Sequence, residues 1–204
     1  MNIEELFKNT LVLSLEHRFD RRKFMQDTMK EQAINFYFFN AINGVEIENS
    51  TNLLPGEYGI KKSHIEIIKE AQIKQYSSIF IFEDDVEFCE NFKAEINNNI
   101  KLIPDDCDLL FLGGAHRGSI CHVMGKIYKT SCTYTTHAMW INSSIYSEII
   151  KIMNQNPNQQ LDNCYVILQN MYNCYTFYPN LAWQKDDYSD IQNKFVKYDW
   201  LKPQ

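Results

Sequence analysis

Apolar residues along this chain fall in short unbroken runs separated by longer, helix-spaced stripes. The run Leu11-Val12-Leu13-Ser14-Leu15 predicts a first buried strand. Beyond it Asp20 is placed to cap a helix, and Phe24, Met25, Met29 and Ala33 give that segment a helical stripe. Residues 36–39 predict a second strand, closed by Asn40-Ala41-Ile42-Asn43-Gly44, a turn in which Gly44 is expected to supply a positive φ. Pro55-Gly56 breaks the chain before a helix carrying Ile60, His64, Ile67, Ile68 and Ala71 on one face. Ile79-Phe80-Ile81-Phe82 leaves no polar face at all, which predicts a strand buried on both sides. A helix over about 91–102, a strand over 108–112 stopped by Gly113-Gly114, and a strand-like stretch over 135–141 follow. A helix from Ser143 to about 155, a short one that Asp162 could cap, and a strand over 175–178 complete the pattern. Strand and helix alternate, so the expectation is an α/β fold with a mainly parallel central sheet flanked by helices.

The chain has 204 residues, 45% hydrophobic and 14% aromatic, enough for one domain spanning 1–204 with a sizeable core. No apolar run reaches the ~20 residues of a membrane span, and Met1-Asn2-Ile3-Glu4-Glu5 does not read as a signal peptide. A cytoplasmic location is therefore expected. A net charge of −6 argues against nucleic acid as the main partner. The six cysteines show neither a CxxC pair nor zinc-ligand spacing, so free thiols are expected.

Chemistry enters with Glu83-Asp84-Asp85, directly after the apolar run. Carboxylates at the carboxyl end of a central strand sit where open α/β sheets bind ligands. Their oxygens suit Mg²⁺ or Mn²⁺, with a phosphate-bearing substrate completing the shell. The alternative is an acidic turn at a helix N-terminus. Three of the four arginines, Arg18, Arg21 and Arg22, cluster after the first strand, where guanidinium groups can fork onto phosphate oxygens. His137 is a candidate third metal ligand, and Asp162, on a late loop, is a candidate general base. His64 on an apolar stripe reads as a core histidine, and Asp186, Asp187 and Asp190 as a solvated loop. Neither a P-loop, a G-x-S-x-G elbow nor a G-x-G-x-x-G fingerprint is present.

In order, these pieces resemble glycosyltransferase family 25, which includes the lipooligosaccharide and collagen galactosyltransferases. The resemblance rests on Leu13-Ser14-Leu15 with the Arg18–Arg22 cluster, Phe39-Asn40-Ala41-Ile42-Asn43-Gly44, Gly56-Glu57-Tyr58-Gly59 with Ser63-His64, and Ile81-Phe82-Glu83-Asp84-Asp85-Val86. Asp162, Tyr178-Pro179-Asn180-Leu181 with Gln184, and Ser189-Asp190-Ile191 extend it, so that it covers roughly residues 10–192. It departs from the pattern at Ser14, where Asn is usual, and at Tyr58, Ile60, Lys61 and Lys62.

The resemblance implies a GT-A-like fold and transfer of a hexose, with galactose the default, from a UDP-sugar to a hydroxyl of a glycan acceptor. A lipooligosaccharide or a glycoprotein would be that acceptor, the transfer would invert the anomeric centre, and peripheral contact with the inner face of a membrane is compatible with it. It further implies Mn²⁺ (or Mg²⁺) held by Glu83 and Asp85, with His137 a possible addition. Ser14, Arg18, Arg21, Arg22, Asn43, Gly44, Glu57, His64 and Asp84 would face the donor, and Asp162 would act as base. A non-catalytic relative that binds a glycan or nucleotide-sugar is the alternative, and acceptor recognition is expected in residues 115–134 and the tail.

Overall fold

The computed structural model describes residues 1–191 and 194–203. Its strands, in chain order, are β1 (Thr10–Ser14), β2 (Tyr37–Asn40), β3 (Ser78–Glu83), β4 (Val86–Phe88), β5 (Leu109–Phe111), β6 (Ala115–His116) and β7 (Cys121–Met124), then β8 (Ile127–Lys129), β9 (Thr133–Tyr134), β10 (Ala138–Asn142), β11 (Cys174–Phe177), β12 (Ala182–Gln184), β13 (Asp187–Ser189) and β14 (Lys194–Val196). The helices are α1 (Ile3–Leu6), α2 (Phe19–Gln32), α3 (Pro55–Ile73), α4 (Phe92–Asn99), α5 (Tyr146–Gln155) and α6 (Leu161–Gln169).

Among the described residues, eight strands form one sheet in the order β2-β1-β3-β10-β5-β11-β8-β7. β1 runs parallel to both β2 and β3, and β11 runs parallel to β5. Only β10 and β8 point the other way: β10 opposes β3 and β5, and β8 opposes β11 and β7. Six of the eight strands thus point the same way and helices flank the sheet, as expected of a GT-A-like α/β fold, while the two reversed strands make four of the seven pairings antiparallel. The reversal of β10 has no counterpart in the sequence pattern, because a strand buried on both faces carries the same apolar run in either direction.

β3 explains why that run is unbroken. Successive side chains of a strand alternate faces, and here both faces are covered. Phe80 and Phe82 enter one core with Met25, Met29, Ile96 and Trp140, while Ile79 and Ile81 enter the other with Ile67, Ile68, Ile149 and Tyr165. Phe80 and Phe82 also stack with ring centroids 4.3 Å apart. The sheet is therefore fixed between α2 and α4 on one side and α3, α5 and α6 on the other, with the carboxyl ends of β1, β2 and β3 at one rim.

Three local expectations need correction. Asp20 does not cap α2: the helix starts at Phe19, Arg18 occupies the cap position without a side-chain bond, and Asp20 lies inside the first turn, paired with Arg18. Asp162 likewise lies inside α6, whose cap position is Gln160. Gly44 does not supply a positive φ; Gly125 is the described glycine with that conformation. Gly44 is needed for close approach instead, because a Cβ there would lie 1.7 Å from the Pro55 carbonyl oxygen. Gly59 mirrors it across the contact, its virtual Cβ meeting the Ile42 oxygen at 2.5 Å. Ser63 locks the junction, accepting from Ile42 N–H at 2.8 Å and donating to the Gly59 carbonyl at 2.8 Å. The 41–44 loop is thereby held on the first turns of α3.

The tail is not the solvated segment its polarity suggested. β13 and β14 pair as a hairpin, and a 3-10 turn over Asp199–Leu201 packs beside Ala115, with Leu201 buried. All six cysteines are free. No helix among the described residues is long and apolar enough to cross a membrane.

Candidate active site

A cavity of about 580 Å³ opens at the carboxyl-end rim of β1 and β3. Ser14 ends β1 and Glu83 ends β3, and the two strands are paired in parallel. Sheet geometry alone therefore brings the start of the arginine cluster and the acidic triplet together. The lining includes Ser14, Arg21, Asn43, Gly44, Glu57, Glu83, Asp84, Asp85 and Asp162.

Arg21 organises the floor. It is buried, at 8% exposure, and its Nη1 donates to Asp84 Oδ1 at 2.8 Å and to Asp85 Oδ2 at 3.4 Å. Its Nη2 donates to the Tyr188 carbonyl at 2.7 Å, and Asp187 lies 3.5 Å from Nε. Asp84 is further held by Ser14, whose hydroxyl donates to Oδ2 at 2.6 Å. Glu83 accepts from Thr136 Oγ1 at 2.9 Å and from Gln184 Nε2 at 3.3 Å. Burial pushes the Glu83 carboxyl well up, and the neighbouring Asp85 charge pushes it further. Burial also raises Asp85, against the opposing pull of Arg21. Asp162 is raised to about 6 by burial, with the Thr135 backbone amide pulling the other way.

Four predicted residues lie elsewhere. His137 is fully buried and does not line the cavity; its Nε2 faces the Ala182 carbonyl at 3.1 Å, and burial lowers its pKa to about 4. His64 is fully buried against Tyr165, with Nδ1 3.1 Å from the phenol oxygen and a pKa lowered to about 3 by burial. The apolar-stripe reading of His64 therefore describes its surroundings. Arg22 is spent on the backbone, donating to the Leu15 and Ser14 carbonyls at 3.2 and 3.1 Å, with its guanidinium over Phe38. Arg18 stands at the margin in ion pairs with Asp20 and Asp190.

Several lining residues carried no readable signal: Thr136, Gln160, Tyr198 and Trp200. Asp187 and Asp190, expected in a solvated loop, instead pair with Arg21 and Arg18, and Asp190 lines the cavity. Partner arginines for these tail acids were visible in the sequence; the fold that joins them was not.

The wall is strongly acidic, with Glu57, Glu83, Asp84, Asp85, Asp162 and Asp190 facing Arg21 as its one lysine or arginine among the described lining residues. Asp85 Oδ1 is buried without a hydrogen-bond partner. An oxygen left bare at this depth costs stability unless a cation reaches it. The donor set thus fits a hard divalent ion. Among the described residues no group of three His, Cys, Asp or Glu side chains is placed to hold one by itself.

The model of glycosyltransferase family 25 (LPS biosynthesis protein) matches residues 7–173, most of the chain. The chain belongs to this family. A Bos taurus relative named as a probable inactive glycosyltransferase 25 family member 3 is 29% identical over 129 residues, 52% of this chain and 22% of its own length. The Xenopus laevis procollagen galactosyltransferase 1-A is 28% identical over 135 residues, 55% of this chain and 21% of its own length. The family 25 domain described here thus spans about a fifth of these relatives. A glycosyltransferase involved in glycosylating the major capsid of PBCV-1 aligns with TM-score 0.41 and 13% identity, over 73% of this chain and 68% of its own.

Proposed function

We propose that this family 25 domain transfers a hexose, galactose by default, from a UDP-sugar to a hydroxyl of a glycan acceptor, inverting the anomeric centre, with Mn²⁺ or Mg²⁺ bound. One observation carries this reading: the cavity combines an acidic wall with a bare, buried Asp85 oxygen. A nucleotide diphosphate is itself anionic, so it enters such a wall only with a cation between them. Asp85 and Glu83 would hold that cation, which supplies charge neutralisation for the diphosphate leaving group.

The residues of the chain do the rest. Arg21, fixed by Asp84 and Tyr188, keeps a positive charge at the cavity floor. The 41–44 loop, pinned on α3, presents Asn43 and Gly44 to the donor. Asp162, with a pKa of about 6, is ionised at neutral pH yet basic enough to take a hydroxyl proton. The test is UDP release from a panel of UDP-sugars with Mn²⁺, using wild type, Asp85→Ala and Asp162→Asn. Full metal-dependent turnover by Asp85→Ala would sink the metal assignment.

A second reading, a domain that binds nucleotide-sugar without turnover, is favoured by the Bos taurus relative's name. Calorimetric binding of UDP-sugar with neither transfer nor hydrolysis would select it.

A further inference from the structure

A second cavity, about 800 Å³, lies next to the first and shares Trp200 with it. Its lining includes His116, Arg117, Tyr178, Asn180 and Lys202. The dividing wall is built, not incidental. Asn180 is buried, and its amide donates to the Leu201 carbonyl at 2.9 Å and to the Gly114 carbonyl at 3.2 Å, while accepting from Gly114 N–H at 3.2 Å. The Asp199–Leu201 turn is thus clamped against Gly114, which holds Trp200 where it lines both cavities.

The two cavities differ in charge. No Asp or Glu among the described residues lines the second, whereas Arg117 and Lys202 do, Lys202 being ion-paired with Asp199 at 3.4 Å and Asp186 at 3.9 Å. Of the four arginines in the chain, Arg18 and Arg21 are ion-paired and Arg22 is held by backbone carbonyls. Arg117 is exposed and has no carboxylate partner among the described residues; its guanidinium rests over the Tyr134 ring at 5.7 Å. In a chain of net charge −6, an arginine without a carboxylate partner beside a cavity is available to pair with an anion.

Aromatic rings supply the second element. His116, Tyr178, Tyr128 and His122 form a continuous row, with successive centroids 5.9, 5.4 and 5.1 Å apart. The row leads from the cavity onto the β7–β8 hairpin at the sheet edge, and Tyr178 and Trp200 are 46% and 58% exposed. Rings with an apolar face and a polar tip suit a ligand that is both, as the C–H face of a sugar ring is.

We infer that this second cavity is the acceptor subsite, and that it takes an oligosaccharide bearing an anionic substituent, phosphate or carboxylate. The inference rests on the transferase reading. Arg117 would engage the anion, Tyr178 and Trp200 would stack on the sugar, and the accepting hydroxyl would pass Trp200 toward Asp162.

The test is titration of the metal-free protein with glucose 6-phosphate against glucose, and with a glucuronic-acid-terminated disaccharide against lactose. Trp fluorescence and ligand-observed NMR follow binding, and UDP with Mn²⁺ is titrated separately by calorimetry. We expect one or both anionic sugars to bind at least about tenfold tighter than the neutral partner, with the two pairs telling phosphate from carboxylate. Arg117→Ala should abolish that preference, Tyr178→Ala should weaken every sugar, and neither should change UDP affinity. Both side chains are solvent-exposed at their tips, and unchanged thermal unfolding checks that the variants fold. Equal binding of charged and neutral sugars, no sugar binding beside normal UDP binding, or equal loss of UDP affinity in the variants would overturn the inference. Loss of UDP binding by wild type with intact, Arg117-dependent sugar binding would instead overturn the transferase reading alone.

Discussion

Replacing Arg21 with methionine should cost this protein more stability than its position on a surface-flanking helix suggests. Methionine keeps much of the side-chain volume of Arg21 and removes the charge and all donors. At 2.8 Å from Asp84, and with an effective dielectric of about 20, the lost Coulomb attraction is ~6 kcal/mol, part of which the desolvation of Arg21 already offsets. Removing one member of a buried pair typically costs about 3–5 kcal/mol because the partner charge is left bare. Here Asp84, Asp85 and the Tyr188 carbonyl are all left short of a donor. For a chain of this length that corresponds to a fall in Tm of roughly 6–20 °C, at about 2–4 °C per kcal/mol. The assay is thermal unfolding by circular dichroism at pH 7.5 in EDTA, repeated with Asp84→Asn added to Arg21→Met. The double variant should recover a good part of the loss, because one uncompensated charge is gone. A Tm change under about 2 °C, or a double variant no better than the single, would refute the claim that Arg21 compensates the buried Asp84 charge.

Further outcomes follow from the same geometry. With Asp162 raised to about 6, transfer should rise as pH increases through about 6 and level off above it, since the base must be ionised; Asp162→Asn should remove that limb and lower kcat by about 10²–10⁴-fold. The same raised pKa means that ionised Asp162 destabilises the fold: the cost is absent below the unfolded value near 3.9 and fully present above about 6. Asp162→Asn should therefore melt higher than wild type at pH 8 and lose that advantage by pH 4. Mn²⁺ should raise the Tm of wild type and leave Asp85→Asn unmoved, as read by scanning fluorimetry with and without EDTA. Gly44→Ala should destabilise by more than about 2 kcal/mol in denaturant titration, because the new methyl would occupy the Pro55 carbonyl's position.

Strand and helix order were legible because hydrophobic periodicity is a local property. The β3 run and the free cysteines read directly from side-chain type, as did the helix after residue 55, although Pro55-Gly56 open that helix where a break ahead of it was expected. Asp187 and Asp190 were not legible: their charge is local information, but their arginine partners lie well over 160 positions away in sequence. The histidines show the opposite limit. His64 and His137 have the right chemistry for a site, and packing directs their rings into Tyr165 and the Ala182 carbonyl.

By itself, then, the sequence determined the main helices, the strands β1, β2, β3, β5, β10 and β11, the alternation that makes an α/β sheet, and the composition of the acidic strand end. Periodicity, turn residues and burial preference depend on neighbours a few positions apart, and so can be read without the fold. Only the tertiary structure decided that β10 runs backwards between β3 and β5, that Arg21 rather than Arg22 reaches the triplet, and that the tail walls two cavities. Each of those depends on which strand ends share a rim and which side chains are driven together by burial, and no local pattern encodes that.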